Sequence, residues 1–465
     1  DNLKLKYKPL ENNSFKNYFQ YTNSLWSYQY LRLLQASIQR SGQFWIRGWN
    51  RIKVKKLIYI FLIITSPIFA QNTGNNQLFE YTDTSSVVLN VYANGNYGSS
   101  IFNNEFIDVF RLGGFIDNQM KGTALSNSKR INYFGGEGSF GVSFSDPIHK
   151  LYGNWGYYVD ISSNASGAIQ FTDDLYELVF YGNKSNAGDT SFIGQTGFHS
   201  RSFKKFSAGI DNNKLKIGVS FLSFSNYNQG LVQSGYTYTD SMGSNISLNL
   251  NGSQIQSTNV LKQIGSGFAL DFEYRLSQEL IAKDSSHSKS TTIIIGVKNI
   301  GMYVSRNNSV LTKVDWTYNY SGFNVSSISS FGNSIINQQE LTDSIRTISD
   351  TTRFVGLLPF EIYFYKPPTY LKKWEIIYGF RYKIQSSYRA FLYFGGNLHL
   401  TSKMNISSYL GYGGYSNLQF GLAINKRFKN KLLVEINSNN LLGVFSREQY
   451  GKAAGISLKY NFKWN

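Results

Sequence analysis

The chain of 465 residues carries 35 Phe, 34 Tyr and 7 Trp, so its aromatic fraction of 16% equals its charged fraction, whereas a soluble domain carries roughly 25% charged residues. The absence of cysteine excludes disulfide scaffolds, thiolate metal sites and cysteine nucleophiles; a hydrophobic fraction of 42% argues against disorder, and a mean hydropathy of −0.28 against a bundle of transmembrane helices. The formal charge of +18 is no nucleic-acid signature, because half of it lies in residues 1–70, where eleven Lys/Arg face only Asp1 and Glu11, and the remainder is dispersed without a basic stripe.

Lys53-Val54-Lys55-Lys56 precedes the apolar run Leu57–Ile64, and Pro67 breaks the chain before Ala70. A basic stretch, an apolar core and small residues in this order predict a signal peptide over 52–70, cleaved after Ala70. The run is far below the ~20 residues a spanning helix needs. Residues 1–51 then stand ahead of a complete signal and are expected to be an upstream artefact or a disordered extension; the first methionine is Met120. The alternative for this segment is a basic amphipathic helix from Trp26 to Trp49, with Arg32, Arg40 and Arg47, at a membrane surface.

In the mature chain, 71–465, the stretch 104–127 lacks clean alternation; Phe106, Val109, Phe110 and Gly113 have helical spacing. Asp173 and Asp174 ahead of Leu175 read as the acidic first turn of a second helical piece. These segments are expected to be short helices that plug a lumen or lie in the periplasm, or else irregular loops. From about residue 130 onward the period is two. Phe140, Val142 and Phe144 alternate with Ser139 and Ser143, Ile217, Val219 and Phe221 with Lys216, Gly218 and Ser220, Phe268, Leu270 and Phe272 with Asp271 and Glu273, and Leu458, Tyr460 and Phe462 with Ser457, Lys459 and Asn461.

A soluble sandwich also alternates, but these segments approach the ~9–11 residues of a tilted membrane strand, and their aromatics gather near strand ends as interface girdles do. The chain closes on an alternating strand running to Trp464. Short turns at Asp211-Asn212-Asn213 and Lys429-Asn430 suit tight periplasmic hairpins, and the Ser/Asn/Thr-rich 323–352 suits a long outer loop. The predicted fold is all-β: a transmembrane antiparallel β-barrel of about 14 strands with short N-terminal plug or periplasmic helices.

Eleven charges fall on the polar phase of their strands and are the lumen-lining candidates: Glu137, Asp160, Lys216, Asp271, Glu273, Arg275, Lys298, Arg381, Lys383, Glu435 and Lys459. Facing lipid, each cationic one would cost up to ~2–4 kcal/mol at the bilayer midplane. Their mixed signs suit an internal ion-pair network more than a selective pore ringed by one sign. The four histidines, His149, His199, His287 and His399, have no metal-ligand spacing. His399 shares a phase with Asn397, an arrangement that could orient a base for a serine, although a lumen or girdle histidine is the simpler reading. Asn94-Gly95-Asn96 and Gly135-Gly136-Glu137-Gly138 lack the Lys-Ser/Thr of a phosphate loop. No catalytic residue, metal or cofactor is expected, and the chain is not expected to be an enzyme.

Several stretches together resemble an uncharacterised family of Bacteroidota outer-membrane barrels. They are Asn104-Glu105-Phe106 with Gly113-Gly114-Phe115-Ile116-Asp117, Leu178–Asn183 with Ala187-Gly188-Asp189-Thr190, Gly265–Asp271, Gly296–Gly301, Leu358-Pro359-Phe360 and Asn439-Asn440-Leu441-Leu442, spread over roughly 85–464. That family is similar to the long-chain fatty-acid transporter type, and the resemblance implies a 14-stranded barrel with an N-terminal plug in the Gram-negative outer membrane. The expected function is uptake or passage of a small amphipathic or hydrophobic compound, with outer-membrane lipid and a small hydrophobic ligand as partners and no nucleic acid. The alternative, from another class, is a structural or secretion-associated scaffold whose loops bind an outer-membrane protein partner.

Overall fold

The computed structural model describes residues 87–462 apart from 152–154, 213, 243–244, 258–262, 281–288, 306–308, 321–347, 369–372 and 430. The predicted extension 1–51, the signal segment 52–70, His287, most of the loop 323–352 and Trp464 lie outside the described residues.

The alternating segments become strands β1 (Val87–Ser99), β2 (Ile131–Leu151), β3 (Trp155–Thr172), β4 (Thr190–Phe192), β5 (Thr196–Asp211), β6 (Leu215–Thr239) and β7 (Ile246–Ser257). There follow β8 (Gly265–Leu280), β9 (Lys289–Ser305), β10 (Ser309–Tyr320), β11 (Ile348–Thr352), β12 (Val355–Leu357), β13 (Glu361–Lys366) and β14 (Trp374–Lys383). The last are β15 (Arg389–Thr401), β16 (Met404–Gly414), β17 (Leu418–Phe428), β18 (Leu432–Ser438) and β19 (Gly451–Phe462). All pair antiparallel in one sheet, and β1 pairs with both β2 and β19.

Following the ladder around gives β1, β2, β3, β5, β6, β8, β9, β13, β14, β15, β16, β17, β18, β19 and back to β1, a closed barrel of 14 staves. Closure leaves the circuit without an edge strand, as a membrane barrel requires. The 25 residues of β6 pair with β8 in their first half and with β7 in their second, so β7, β10 and β11 prolong the wall at one end. β12 continues the β13 stave past Leu358-Pro359-Phe360.

Val87 lies opposite Phe462, which defines one end of the barrel. The tight turns fall at that end. The Asn212 side chain accepts from the backbone N–H of Lys214 and Leu215 at 2.9 and 2.7 Å, an Asx turn. Lys429 takes the left-handed conformation, φ 47°, between β17 and β18.

Among the described residues, four short helices form at the other end: α1 (Asn104–Leu112), α2 (Asn118–Ser126), α3 (Asp173–Phe180) and α4 (Leu441–Phe445). Asn103, Asp117 and Thr172 cap the first three, each side chain accepting the N–H three residues on. α1, α2 and α3 arise in the two stretches where the sequence predicts helices; α4 is not among those predictions. α1 and α2 join β1 to β2, α3 joins β3 to β4, and α4 joins β18 to β19, all at the end away from Val87 and Phe462. α1, α2 and α3 share a core of Ile101, Phe106, Ala124, Phe171 and Tyr176, with Phe134 and Ile169 at its margin. Phe134 shares the strand phase of exposed Phe140 and Val142, and Ile169 and Phe171 that of exposed Ile161, with no register shift over the intervening pairs. α1, α2 and α3 therefore rest on the outer face of the wall. A helix entering the lumen would have to contact the opposite phase.

Candidate functional site: the barrel interior

Strand phase separates the two faces. Phe206, Val219, Phe221, Phe268, Leu270, Phe272, Phe394, Leu410 and Ile436 are exposed, while Ser207, Ser220, Glu273, Arg381, Asn397, Asn405, Ser407, Glu435 and Asn437 are buried. An apolar face turned to solvent around a closed barrel is what a lipid environment demands, so the exposed phase is the lipid face.

Contacts between staves that are not neighbours establish that the polar phase meets inside. Glu137 on β2 pairs with Lys383 on β14, seven staves away in a circuit of fourteen, so this bridge crosses the full interior. Lys383 also lies 3.5 Å from Glu361 on β13. Arg381, on the same face, donates from Nε and Nη2 to the Tyr388 hydroxyl at 3.2 and 2.9 Å.

A second group occupies the β5–β8–β9 side. The Lys205 ammonium donates to Asp271 at 2.9 Å and to the Asn299 side chain at 2.6 Å, and the Asn299 N–H donates to Asp271 at 2.7 Å. Asn299 has φ 60°, and the β8–β9 ladder steps from Leu270↔Ile300 to Phe272↔Val297 around it. This bulge turns Asn299 inward beside Lys298 and restores the apolar phase at Ile300 and Met302. Lys298 stands over the Tyr363 ring at 5.7 Å.

Nearer the turn end, Arg275 grips Asp211 with two N–H groups, at 2.8 and 3.2 Å, and Glu273 with a third at 3.2 Å. Tyr363 donates to the other Glu273 oxygen at 3.0 Å. This is the planar, bidentate recognition that favours arginine over lysine.

All eleven sequence-predicted charges lie on the inward phase. Asp160 accepts from Tyr92 at 2.9 Å, Lys216 stands 4.4 Å from the Tyr158 ring centre, and Glu435 accepts from Asn437 at 2.9 Å. Lys459 is buried. The structure unites Glu137 with Lys383 and Glu273 with Arg275, while Asp271 finds a partner the sequence reading did not select, Lys205.

Glu361, Asn299, His199 and Arg201 were missed likewise. Arg201 is 1% exposed and donates to the Gln385 carbonyl at 3.2 Å and to the Gln229 side chain at 2.9 Å. The available signal was phase: His199, Arg201 and Lys205 share it with buried Ser207, but Lys204 beside Lys205 and the Ser200 and Ser202 neighbours blur the alternation.

Aromatic side chains fill much of the remaining interior. Tyr363, Tyr365, Tyr388, Phe391, Tyr393, Tyr409 and Tyr415 form one buried cluster, and Leu222, Phe224, Tyr227 and Tyr303 belong to another. Glycine makes room for them: a Cβ on Gly379 would stand 2.6 Å from the Tyr393 ring, and one on Gly421 would overlap Tyr409. A pocket lined by Arg381, Tyr388, Phe391, Tyr415, Asn439 and Asn440 holds about 10 Å³, close to the least that admits one water.

His399 meets Asn397 at 2.8 Å, but the Ser407 hydroxyl also goes to the Asn397 amide, at 2.7 Å. The amide stands between hydroxyl and imidazole, which is not the order a serine nucleophile and its base require.

No family model matches the chain, and no curated protein does. Among solved structures, a FadL homologue of Pseudomonas aeruginosa is similar at 8% identity and a TM-score of 0.39, over 82% of this chain and 91% of that one. The toluene transporter TodX of P. putida aligns at 10% identity and a TM-score of 0.34, over 85% and 96%. The translocator domain of the autotransporter NalP from Neisseria meningitidis aligns at 6% and 0.30, over 83% and 91%. The fold assignment rests on the closed ladder and the two strand faces, not on these scores.

Proposed function

We propose that the protein is an outer-membrane barrel that passes a small amphipathic or hydrophobic compound and excludes ions. The observation that carries this reading is the interior itself: tyrosine and phenylalanine rings crossed by the Glu137–Lys383 bridge. Rings offer an apolar compound a dry surface and its polar end a hydroxyl. A hydrated ion meets paired charges of both signs instead of a ring of one sign. The ladder lapses on neighbouring seams, β8–β9 at Asp271 and β9–β13 at 299–300, opposite Pro359 and Phe360, and this stretch of wall is the part best suited to yield.

Export by the 52–70 signal, a mature chain of 71–465, residues 1–51 as an extension outside it, and kinship with the Bacteroidota barrel family belong to the same proposal. So does the role of the eleven inward charges as lumen lining. A second reading, a non-transporting scaffold that binds a protein partner through its loops, is favoured by the same bridge, because it closes the interior.

Entry of the hydrophobic fluorophore N-phenylnaphthylamine into cells carrying the barrel separates the two. Faster entry than in cells with the empty vector, with no rise in ion conductance in planar bilayers, supports passage. Entry at the vector rate from a correctly folded barrel refutes passage and leaves the scaffold.

A further inference from the structure

The helices on the outer wall present an apolar surface that the barrel leaves uncovered. Phe110, Leu112 and Phe115 of α1 and its exit are exposed, Phe115 to 84%, and so are Leu442, Val444 and Phe445 of α4, Phe445 to 81%. The two helices are joined through Asn104. Its amide donates to the carbonyls of Gly443 and Ser446 at 3.0 and 2.9 Å, and its oxygen accepts from Tyr97 at 3.2 Å. Tyr97 has the phase opposite to inward Tyr92, and Lys452, on the outward phase of β19, reaches Asp108 of α1 at 3.1 Å. Both attachments hold α1 against the outside of the wall, and Asn104 ties α4 to it.

The height of this surface follows from strand geometry. Phe144, its ring 6.2 Å from that of Tyr157 and tilted to it, marks the lower aromatic level of β2, and Phe134, at the margin of the helical core, lies ten residues along the same outward phase. Ten residues at ~3.3 Å each make ~33 Å along the strand, which a tilt of ~40° reduces to ~25 Å along the membrane normal. That is the height of the apolar band of an outer-membrane barrel. The exposed helical residues thus continue the lipid face at its upper limit.

We propose that α1 and α4 form an interfacial anchor, with Phe110, Leu112, Phe115, Leu442, Val444 and Phe445 inserted among the lipids of the leaflet farther from Val87 and Phe462. The occupant is the bilayer, because the surface adjoins the lipid face and stands one hydrocarbon thickness above its lower level. An amphipathic helix lying in the interface plane buries its apolar face at this depth.

The chain has no cysteine, so single substitutions carry a unique nitroxide label. Phe115→Cys and Phe445→Cys are labelled in vesicles of phosphatidylcholine and phosphatidylglycerol, with Phe140→Cys as the reference for the lipid face and Met242→Cys, 90% exposed in a loop, as the reference for water. Power-saturation spectroscopy compares collisions with oxygen and with a water-soluble nickel chelate. The anchor gives an oxygen-to-nickel ratio at 115 and 445 at least several-fold above that at 242 and approaching that at 140. A ratio equal to that at 242 overturns it. Low collision with both reagents also overturns it, because a protein surface then covers the patch. Heat-shifted mobility confirms that each variant is folded, and Phe110→Cys replaces one that is not. A failure confined to 115 and 445 refutes the anchor alone, whereas a water-like ratio at 140 refutes the membrane barrel.

Discussion

Replacing Lys383 with methionine tests the cross-barrel bridge, because the structure makes its two sides unequal. Lys383 serves both Glu137 and Glu361, whereas Lys383 supplies the only cation found in salt-bridge contact with Glu137 among the described residues. Lys383→Met leaves two carboxylates, each largely buried, without their shared cation, and breaking such a pair costs about 3–5 kcal/mol. Glu137→Gln leaves Lys383 paired with Glu361 and retains an acceptor, so the loss falls to about 1–3 kcal/mol. Glu137→Leu with Lys383→Met removes both charges of the crossing pair and recovers part of the single-variant loss. Urea unfolding of the refolded protein in vesicles, followed by tryptophan fluorescence and by the heat-shifted band, measures all three. Equal losses for Lys383→Met and Glu137→Gln, or a double variant worse than Lys383→Met, would refute the bridge as drawn.

Other substitutions test neighbouring parts. Asn299→Val places a β-branched residue at φ 60° and removes the acceptor for Lys205; the left-handed conformation costs roughly 1–2 kcal/mol and the charged hydrogen bond about 1.5–3. Asn299→Gly loses only the second contribution, so urea midpoints should rank wild type, Gly, Val. Gly421→Val drives a side chain into the Tyr409 ring and is expected to cost about 1–3 kcal/mol by overpacking, with Gly421→Val/Tyr409→Ala recovering stability over Gly421→Val. Tyr176→Phe deletes the hydroxyl that donates to the Lys121 carbonyl at 3.0 Å. The loss of about 0.5–1.5 kcal/mol should appear as faster hydrogen exchange confined to α2 and α3.

The barrel was legible because its alternation is enforced twice, by lipid outside and polar partners inside. Ile376, Phe380 and Tyr382 against Glu375, Arg381 and Lys383 show that pattern in ten residues, and β14 keeps it without a bulge. Strand number followed, since even-numbered closure restricts the choices.

What the sequence hid are places where phase is interrupted. Asn299 points inward only because a bulge inserts it, and no period-two reading places a bulge. The pairing of Glu137 with Lys383 depends on which staves face one another across a closed circuit, and that is fixed only when the whole ladder is counted. α1 was legible in the spacing of Phe106, Val109 and Phe110 and α3 in the acidic start at Asp173 and Asp174, whereas α4 was not, and neither signal can tell the inner from the outer wall. That depended on the phase of Phe134, Ile169 and Tyr97, which became readable once the strand faces were assigned.

The most direct measurement is the electrophoretic mobility of the detergent-purified protein, with and without boiling. A closed membrane barrel migrates as a compact, faster band when unboiled and shifts to its full apparent mass when heated. Identical mobility in the two samples, with a protein that stays soluble and folded without detergent, would contradict the lipid-facing barrel.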